Sequence, residues 1–357
     1  MLAAQVDLDY VYDPDIRQQE KNLRLLTQRV CHMGLTTILL QAFADPDGND
    51  VAEALYFPNH ALPMRRNLFP QVVEELQHCG LKVFAWMPML AFSLGPGHED
   101  LMIHRIPLPG KKQATIASSH RLSPFTCAGK EIIRQIYEDL ARSASVDGIL
   151  FHDDGVLSDY EDASPAALAA YKKAGFPADI TRIRDNDILM EKWSRFKTRT
   201  LIRFSRSLLD VVRRYHPNIR SGRDLYARPI LQPKSEQWFA QSLPLFLQAY
   251  DYTFVLAMPF MEKAKNNTTW LVDLADQALG WTVNPSSIVF ELQTVDWRRR
   301  QKINTSEIVA EIKLLNRHGI VSFAYYPDDF LQNHPRGNSM RQIFTQLNSH
   351  GAYESHD

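Results

Sequence analysis

No run of about 18 apolar residues occurs in this 357-residue chain, so nothing in it is built to span a membrane as a helix. Cysteine is scarce. Cys31, Cys79 and Cys127 are too few and too widely spaced for a disulfide framework or a zinc knuckle. Cys31 and Cys79 lie in apolar, helix-like segments and read as buried thiols; the count allows one bridge at most. Charge of one sign is lacking too. The 40 Lys and Arg nearly balance the 41 Asp and Glu, leaving −1, which gives no global field for nucleic acid. There is no P-loop, no Gly-x-Gly-x-x-Gly and no glycine-rich turn after the first strand, which argues against nucleotide folds. No Gly-x-Ser-x-Gly elbow is present. None of the twelve His forms the i,i+4 pair of a helical zinc motif. Neither a metal nor a cofactor is expected. The opening Met-Leu-Ala-Ala-Gln is too short for a signal peptide and runs almost directly into a strand, as in a domain excised from a longer protein.

What is present is a repeating unit. Apolar, strand-like runs at 6–12, 37–43, 82–88, 147–152, 218–223, 252–258, 287–293 and 319–325 alternate with helical segments near 16–33, 67–79, 128–143, 188–215, 235–248, 267–280 and 305–317. Strands alternating with helices of this length imply a parallel sheet with helical crossovers. Eight such units predict a single-domain α/β protein, a (β/α)8 TIM barrel over residues 1–333. A doubly wound open sheet is the runner-up. Residues 334–357 are polar and are expected to form a poorly ordered tail.

Barrel chemistry collects where strands end, and these ends are rich in acids and aromatics. Asp7 and Asp9 belong to strand one and Trp86 to strand three. His152, Asp153 and Asp154 close strand four, and Asp159, Glu161 and Asp162 follow. Strand five leads to Arg223, Asp224 and Tyr226, with Trp238 in its loop. Glu291 and Trp297 belong to strand seven; Tyr325, Tyr326 and Asp328 belong to strand eight. Sugar rings stack their C–H faces on Trp and Tyr and bond their hydroxyls to acids. Cleaving a glycoside takes two carboxyl groups flanking the bond. Asp153 and Glu291 could face each other across the barrel mouth as that pair. Asp153 and Asp154 point to opposite sides of an extended strand and do not pair. The plainer readings are an ion pair for Glu291 and core packing for Trp238, Trp297 and above all Trp86. Asn266, Asn267 and Asn304 begin sequon triplets of a kind common by chance.

Long motifs then carry a resemblance: Val6-Asp-Leu-Asp-Tyr-Val-Tyr-Asp13, Leu40-Gln-Ala-Phe-Ala-Asp-Pro-Asp-Gly48, Gly148-Ile-Leu-Phe-His-Asp-Asp154, Leu157-Ser-Asp-Tyr-Glu-Asp-Ala-Ser164, Trp238-Phe-Ala-Gln241 and Tyr325-Tyr-Pro-Asp328. From about 5 to 333 the chain resembles the C-terminal domain of periplasmic poly-β-1,6-N-acetylglucosamine deacetylases of the PgaB/BpsB type. The resemblance implies a (β/α)8 glycoside hydrolase that binds and cleaves the partially deacetylated polymer, a biofilm exopolysaccharide. A non-catalytic domain that holds the polymer is the alternative. It implies Asp153 as the catalytic group, Asp159 as a ligand contact, and Trp238 and Trp297 as sugar platforms. It leaves Asp224 doubtful. Asp7, Asp9, His152, Asp154, Arg223, Tyr325, Tyr326 and Asp328 complete the expected substrate-binding set. The implied partners are an N-terminal metal-dependent deacetylase domain and an outer-membrane export pore; the implied location is the periplasm.

Overall fold

The computed structural model describes residues 1–107, 115–116 and 120–351. Eight parallel strands follow one another around a barrel. They are β1 (Ala3–Val6), β2 (Thr37–Gln41), β3 (Lys82–Met87), β4 (Gly148–Phe151), β5 (Arg220–Tyr226), β6 (Tyr252–Ala257), β7 (Ile288–Gln293) and β8 (Phe323–Tyr326). A parallel bridge between Leu2 and Phe323 brings β8 back to β1. Each strand is followed by a covering helix: α1 (Ile16–Val30), α2 (Phe69–His78), α3 (Cys127–Ser143), α4 (Asp187–Arg213), α5 (Leu243–Ala249), α6 (Asn267–Leu279), α7 (Thr305–Arg317) and α8 (Gly337–Gly351).

The strands are covered on both faces, so they read as continuous apolar runs such as Thr37-Ile-Leu-Leu-Gln41, every residue of which is buried. Their inner faces must also fit a narrow lumen. A Cβ on Gly222 would come within 2.6 Å of the Phe254 ring. The helices start where the sequence supplies caps. The side chains of Asp15, Asn186, Asn266 and Asn304 accept backbone N–H groups at the starts of α1, α4, α6 and α7. Two of the sequon asparagines therefore serve as N-caps.

Three expectations change. Strand one is earlier than 6–12: after Val6 the chain turns into a short 3-10 segment, Leu8–Tyr10, which lifts Asp7 and Asp9 to the barrel mouth. The 334–357 stretch is not a loose tail as far as it is described. α8 buries Met340, Ile343 and Phe344 on one stripe, and the domain continues past 333; residues 352–357 lie outside the described residues. Cys31 and Cys79 are bridged rather than free. They cap the C-terminal ends of α1 and α2, which consecutive βα units place side by side.

The bridge ties positions 48 residues apart, a loop whose closure restricts the unfolded chain by about 2–4 kcal/mol. Replacing both cysteines by Ser should lower Tm by several degrees in calorimetry while far-UV circular dichroism stays unchanged. An unchanged Tm would show that the bridge contributes no stability.

Candidate active site

One inward side chain from each strand, or from the residue just past it, forms the floor of a cleft at the C-terminal face. These are Gln5, Gln41, Trp86, His152, Asp224, Leu256, Glu291 and Tyr326. The cleft holds about 700 Å³, and loop residues Asp7, Asp9, Asp45, Asp47 and Asp50 add carboxylates to its wall. A second cleft of about 380 Å³ adjoins it, and Asp50, Asp153 and Tyr226 line both. Asp153 thus stands at the junction of a continuous groove. Trp297 lines the larger arm and Trp238 the smaller, and both are exposed (40 % and 42 %).

Electrostatics at the junction centre on His152. Its Nδ1 lies 3.1 Å from Asp153 Oδ1 and 3.7 Å from Asp224 Oδ2. Its ring meets Trp86 edge-on at 5.0 Å and tilts against Phe43 at 6.1 Å. Burial works against the imidazolium, but Asp153, Asp224 and Asp154 outweigh it and raise the His152 pKa to about 10. Glu291, fully enclosed, is pushed well above the usual carboxylate range by burial and by Asp224 and Asp153, against the pull of His152. Burial raises Asp224 to about 6, with His152 opposing. Asp7 rises to about 7 through burial and the neighbouring Asp9, although Tyr326 Oη donates to it at 3.5 Å. Asp153 accepts a hydrogen bond from Tyr226 Oη at 2.6 Å. The site therefore sets acids with raised pKa values, Asp7, Asp224 and Glu291, around one imidazole.

The expected binding residues divide. Asp7, Asp9, His152, Asp153, Glu291, Trp297 and Tyr326 meet in the larger cleft. Asp9 is itself anchored, accepting from Tyr56 Oη and Arg65 and holding the Asp45 N–H at 2.9 Å. Asp154 lines the smaller cleft, but its oxygens are taken by the N–H groups of Met89, Leu90 and Ala91 at 2.5–3.0 Å. It orients the loop after β3.

Four expected contacts lie elsewhere. Asp159 is bound to Arg184 at 3.0 Å and lines neither cleft. Arg223 points out of the barrel; its Nη2 donates to the Gly155 carbonyl at 2.7 Å, so close that a Cβ on Gly155 would collide with it. Tyr325 and Asp328 also face outward. Tyr325 Oη donates to Asp328 at 2.7 Å, and Arg29 grips the same carboxylate at 2.9–3.0 Å. Strand alternation explains these cases: Arg223 and Tyr325 face the helices, whereas Asp224, Tyr226 and Tyr326 face the lumen. The doubtful Asp224 is thus a floor residue, and Trp86, read as core, is floor as well. Period two along β5 carried a signal for Asp224 and Tyr226. Asp50 had none, because it reaches Asp153 only through the folding of the 45–51 loop.

Comparison with known proteins fits this geometry. The family model described as Hypothetical glycosyl hydrolase family 13 matches residues 5–326. The chain belongs to this family. It is 40 % identical over 349 residues to the Poly-beta-1,6-N-acetyl-D-glucosamine N-deacetylase of Escherichia coli (strain K12), which covers 95 % of this chain and 52 % of that protein. The chain therefore spans about half the length of this curated relative. The solved PgaB (BpsB) glycoside hydrolase domain from Bordetella bronchiseptica superposes with a TM-score of 0.91 at 41 % identity, covering 96 % of this chain and 98 % of that one. The α-L-fucosidase isoenzyme 2 from Paenibacillus thiaminolyticus matches with a TM-score of 0.64 at 12 % identity, covering 99 % and 50 %; that likeness concerns the fold alone. The sequence resemblance and the barrel are thus both met, and the domain is a member of a glycoside hydrolase family.

Because Asp328 is a buried ion-pair partner and not part of the cleft, Asp328→Ala leaves the Arg29 charge uncompensated. It should cost about 3–5 kcal/mol in urea unfolding. A loss well under 1 kcal/mol would contradict this placement.

Proposed function

We propose that this domain is an endo-acting glycoside hydrolase that cleaves partially de-N-acetylated poly-β-1,6-N-acetyl-D-glucosamine. The observation that carries the reading is the pair of clefts meeting at Asp153, with a half-exposed Trp in each arm. A groove open on both sides of a carboxylate suits an internal bond of a polymer. The acids of the larger arm favour a cationic sugar, since an ammonium gains charge-assisted hydrogen bonds to them. The name of the curated relative supports this polymer.

In this reading Asp153 is the principal carboxylate and Glu291 its partner. His152 Nδ1 at 3.1 Å and the Tyr226 hydroxyl, donating at 2.6 Å, hold the Asp153 carboxyl group in place at the junction. Glu291, whose pKa is raised by burial and by its acidic neighbours, retains a proton it can give to the leaving oxygen. A proton donor and a second carboxyl group flanking the bond are what glycoside cleavage through an oxocarbenium-like transition state requires. Trp238 and Trp297 serve as platforms for sugar faces. The same groups would hold polymer without cutting it if the domain only binds.

The wider context follows from the same reading. The name of the longer relative assigns it deacetylation, so we place a deacetylase domain beside this one and an outer-membrane export pore among its partners. The Cys31–Cys79 bridge favours an oxidising compartment such as the periplasm.

Mass spectrometry of partially deacetylated polymer incubated with the domain should show shortened oligosaccharides. Asp153→Asn should reduce their formation by about a thousandfold. Intact polymer under conditions where binding is measurable would sink the hydrolase reading and leave the binding one. The acid must carry its proton to act, so cleavage should fall as pH rises through the Glu291 pKa. Glu291→Gln should abolish that alkaline limb along with most of the rate; a limb that persists in the residual activity would remove Glu291 from the role.

A further inference from the structure

Beyond Asp154 the chain makes an insertion before α4. Two short helices, Pro165–Lys173 and Ile180–Arg184, close with the start of α4 around an apolar cluster of their own, which includes Tyr171, Ile183, Met190 and Trp193. The insertion supplies one wall of the smaller cleft through Val156, Ser158 and Glu161. Its acids are already occupied. Asp159 pairs with Arg184, Glu161 pairs with Arg121, and Asp162 accepts from Ser123, Ser164 and the His104 N–H.

Beneath this wall lies Lys197 of α4, whose side chain is wholly buried. Its Nζ donates to the carbonyls of Leu157 at 3.3 Å, Ser158 at 2.5 Å and Glu161 at 3.1 Å, and it stands 3.6 Å above the Trp193 ring. Burial lowers the Lys197 pKa to about 7 against the pull of Glu161, Asp159 and Asp162; a buried amino group is costly unless its donors are used, and here they gather one short stretch of loop. The Leu157 N–H in turn donates to the Phe239 carbonyl at 3.3 Å, so the gathered loop is joined to the short helix Glu236–Phe239 that carries Trp238.

We propose that Lys197 is a positioning residue for the smaller cleft. By drawing three loop carbonyls together, it holds the 156–161 wall in register with the Trp238 platform and so sets how the polymer is gripped on that side of Asp153. The grip rests on the polymer reading above; the clip itself does not.

Two measurements on Lys197→Met test this. Amide hydrogen exchange across 156–161 should quicken about tenfold while α7 and α8 are unchanged. KM for partially deacetylated polymer, or Kd if wild type only binds, should rise about tenfold with kcat within about threefold. Unchanged loop exchange in a folded variant would overturn the clip. A loss confined to kcat or to global stability would overturn the positioning role. If Lys197→Met does not fold, Trp193→Phe keeps the ammonium and trims the ring beneath it; the same shifts at about threefold are expected, and their absence overturns the proposal. A wild-type domain that neither binds nor cuts the polymer would refute the polymer reading, while the exchange result would still decide the clip.

Discussion

A single buried imidazolium is the condition on which the cleft depends. Carboxyl groups crowded at the end of a barrel cannot all ionise, since like charges in a water-poor space repel strongly. His152, within ion-pair reach of Asp153 and Asp224, offsets part of that repulsion. What it does not offset shows at Glu291, whose pKa burial, Asp224 and Asp153 push well above the usual carboxylate range. The arrangement thus creates chemically different acids from the same residue types. Trp86 and Phe43 wall the imidazole and keep that balance local.

Around this centre the two faces of each strand have separate tasks. Lumen-facing Asp224, Glu291 and Tyr326 belong to the floor, and Tyr226 lines the cleft beside them. Their outward neighbours hold the shell. Arg223 braces Gly155 just after the catalytic candidate, and Tyr325 joins Asp328 and Arg29 beneath α8. The loops are pinned in the same spirit: Asp9 anchors Asp45, Asp154 anchors Met89 to Ala91, and Lys197 gathers the segment after β4. Polar groups that look like ligands in the sequence are often consumed in this scaffolding, because buried donors and acceptors must be satisfied.

The legible part of the structure was therefore uneven. Alternation of strands and helices located seven βα units and the eighth strand, with strand one placed a few residues late and the last helix missed, because periodicity is local. The placement of Asp153, Glu291, Trp238 and Trp297 along the clefts was also legible, since acids and aromatics at strand ends face the mouth. Arg223, Tyr325, Asp328 and Asp159, expected at the cleft, line neither arm of it. Each is one residue out of phase with the lumen or has a distant partner that only folding supplies, such as Arg29 for Asp328 and Arg184 for Asp159. The apolar stripe of Met340, Ile343 and Phe344 was hidden in a polar stretch.

By itself the sequence determined the repeating βα unit, the barrel it implies and the acidic, aromatic character of one end, because these depend on local pattern and residue chemistry. Tertiary structure alone decided which acids share the floor, which are neutralised by Arg, that Cys31 meets Cys79, and that Asp50 reaches Asp153. Those outcomes depend on distances between residues far apart in the chain. Charge and hydrogen bonding act through space, with no regard for sequence separation.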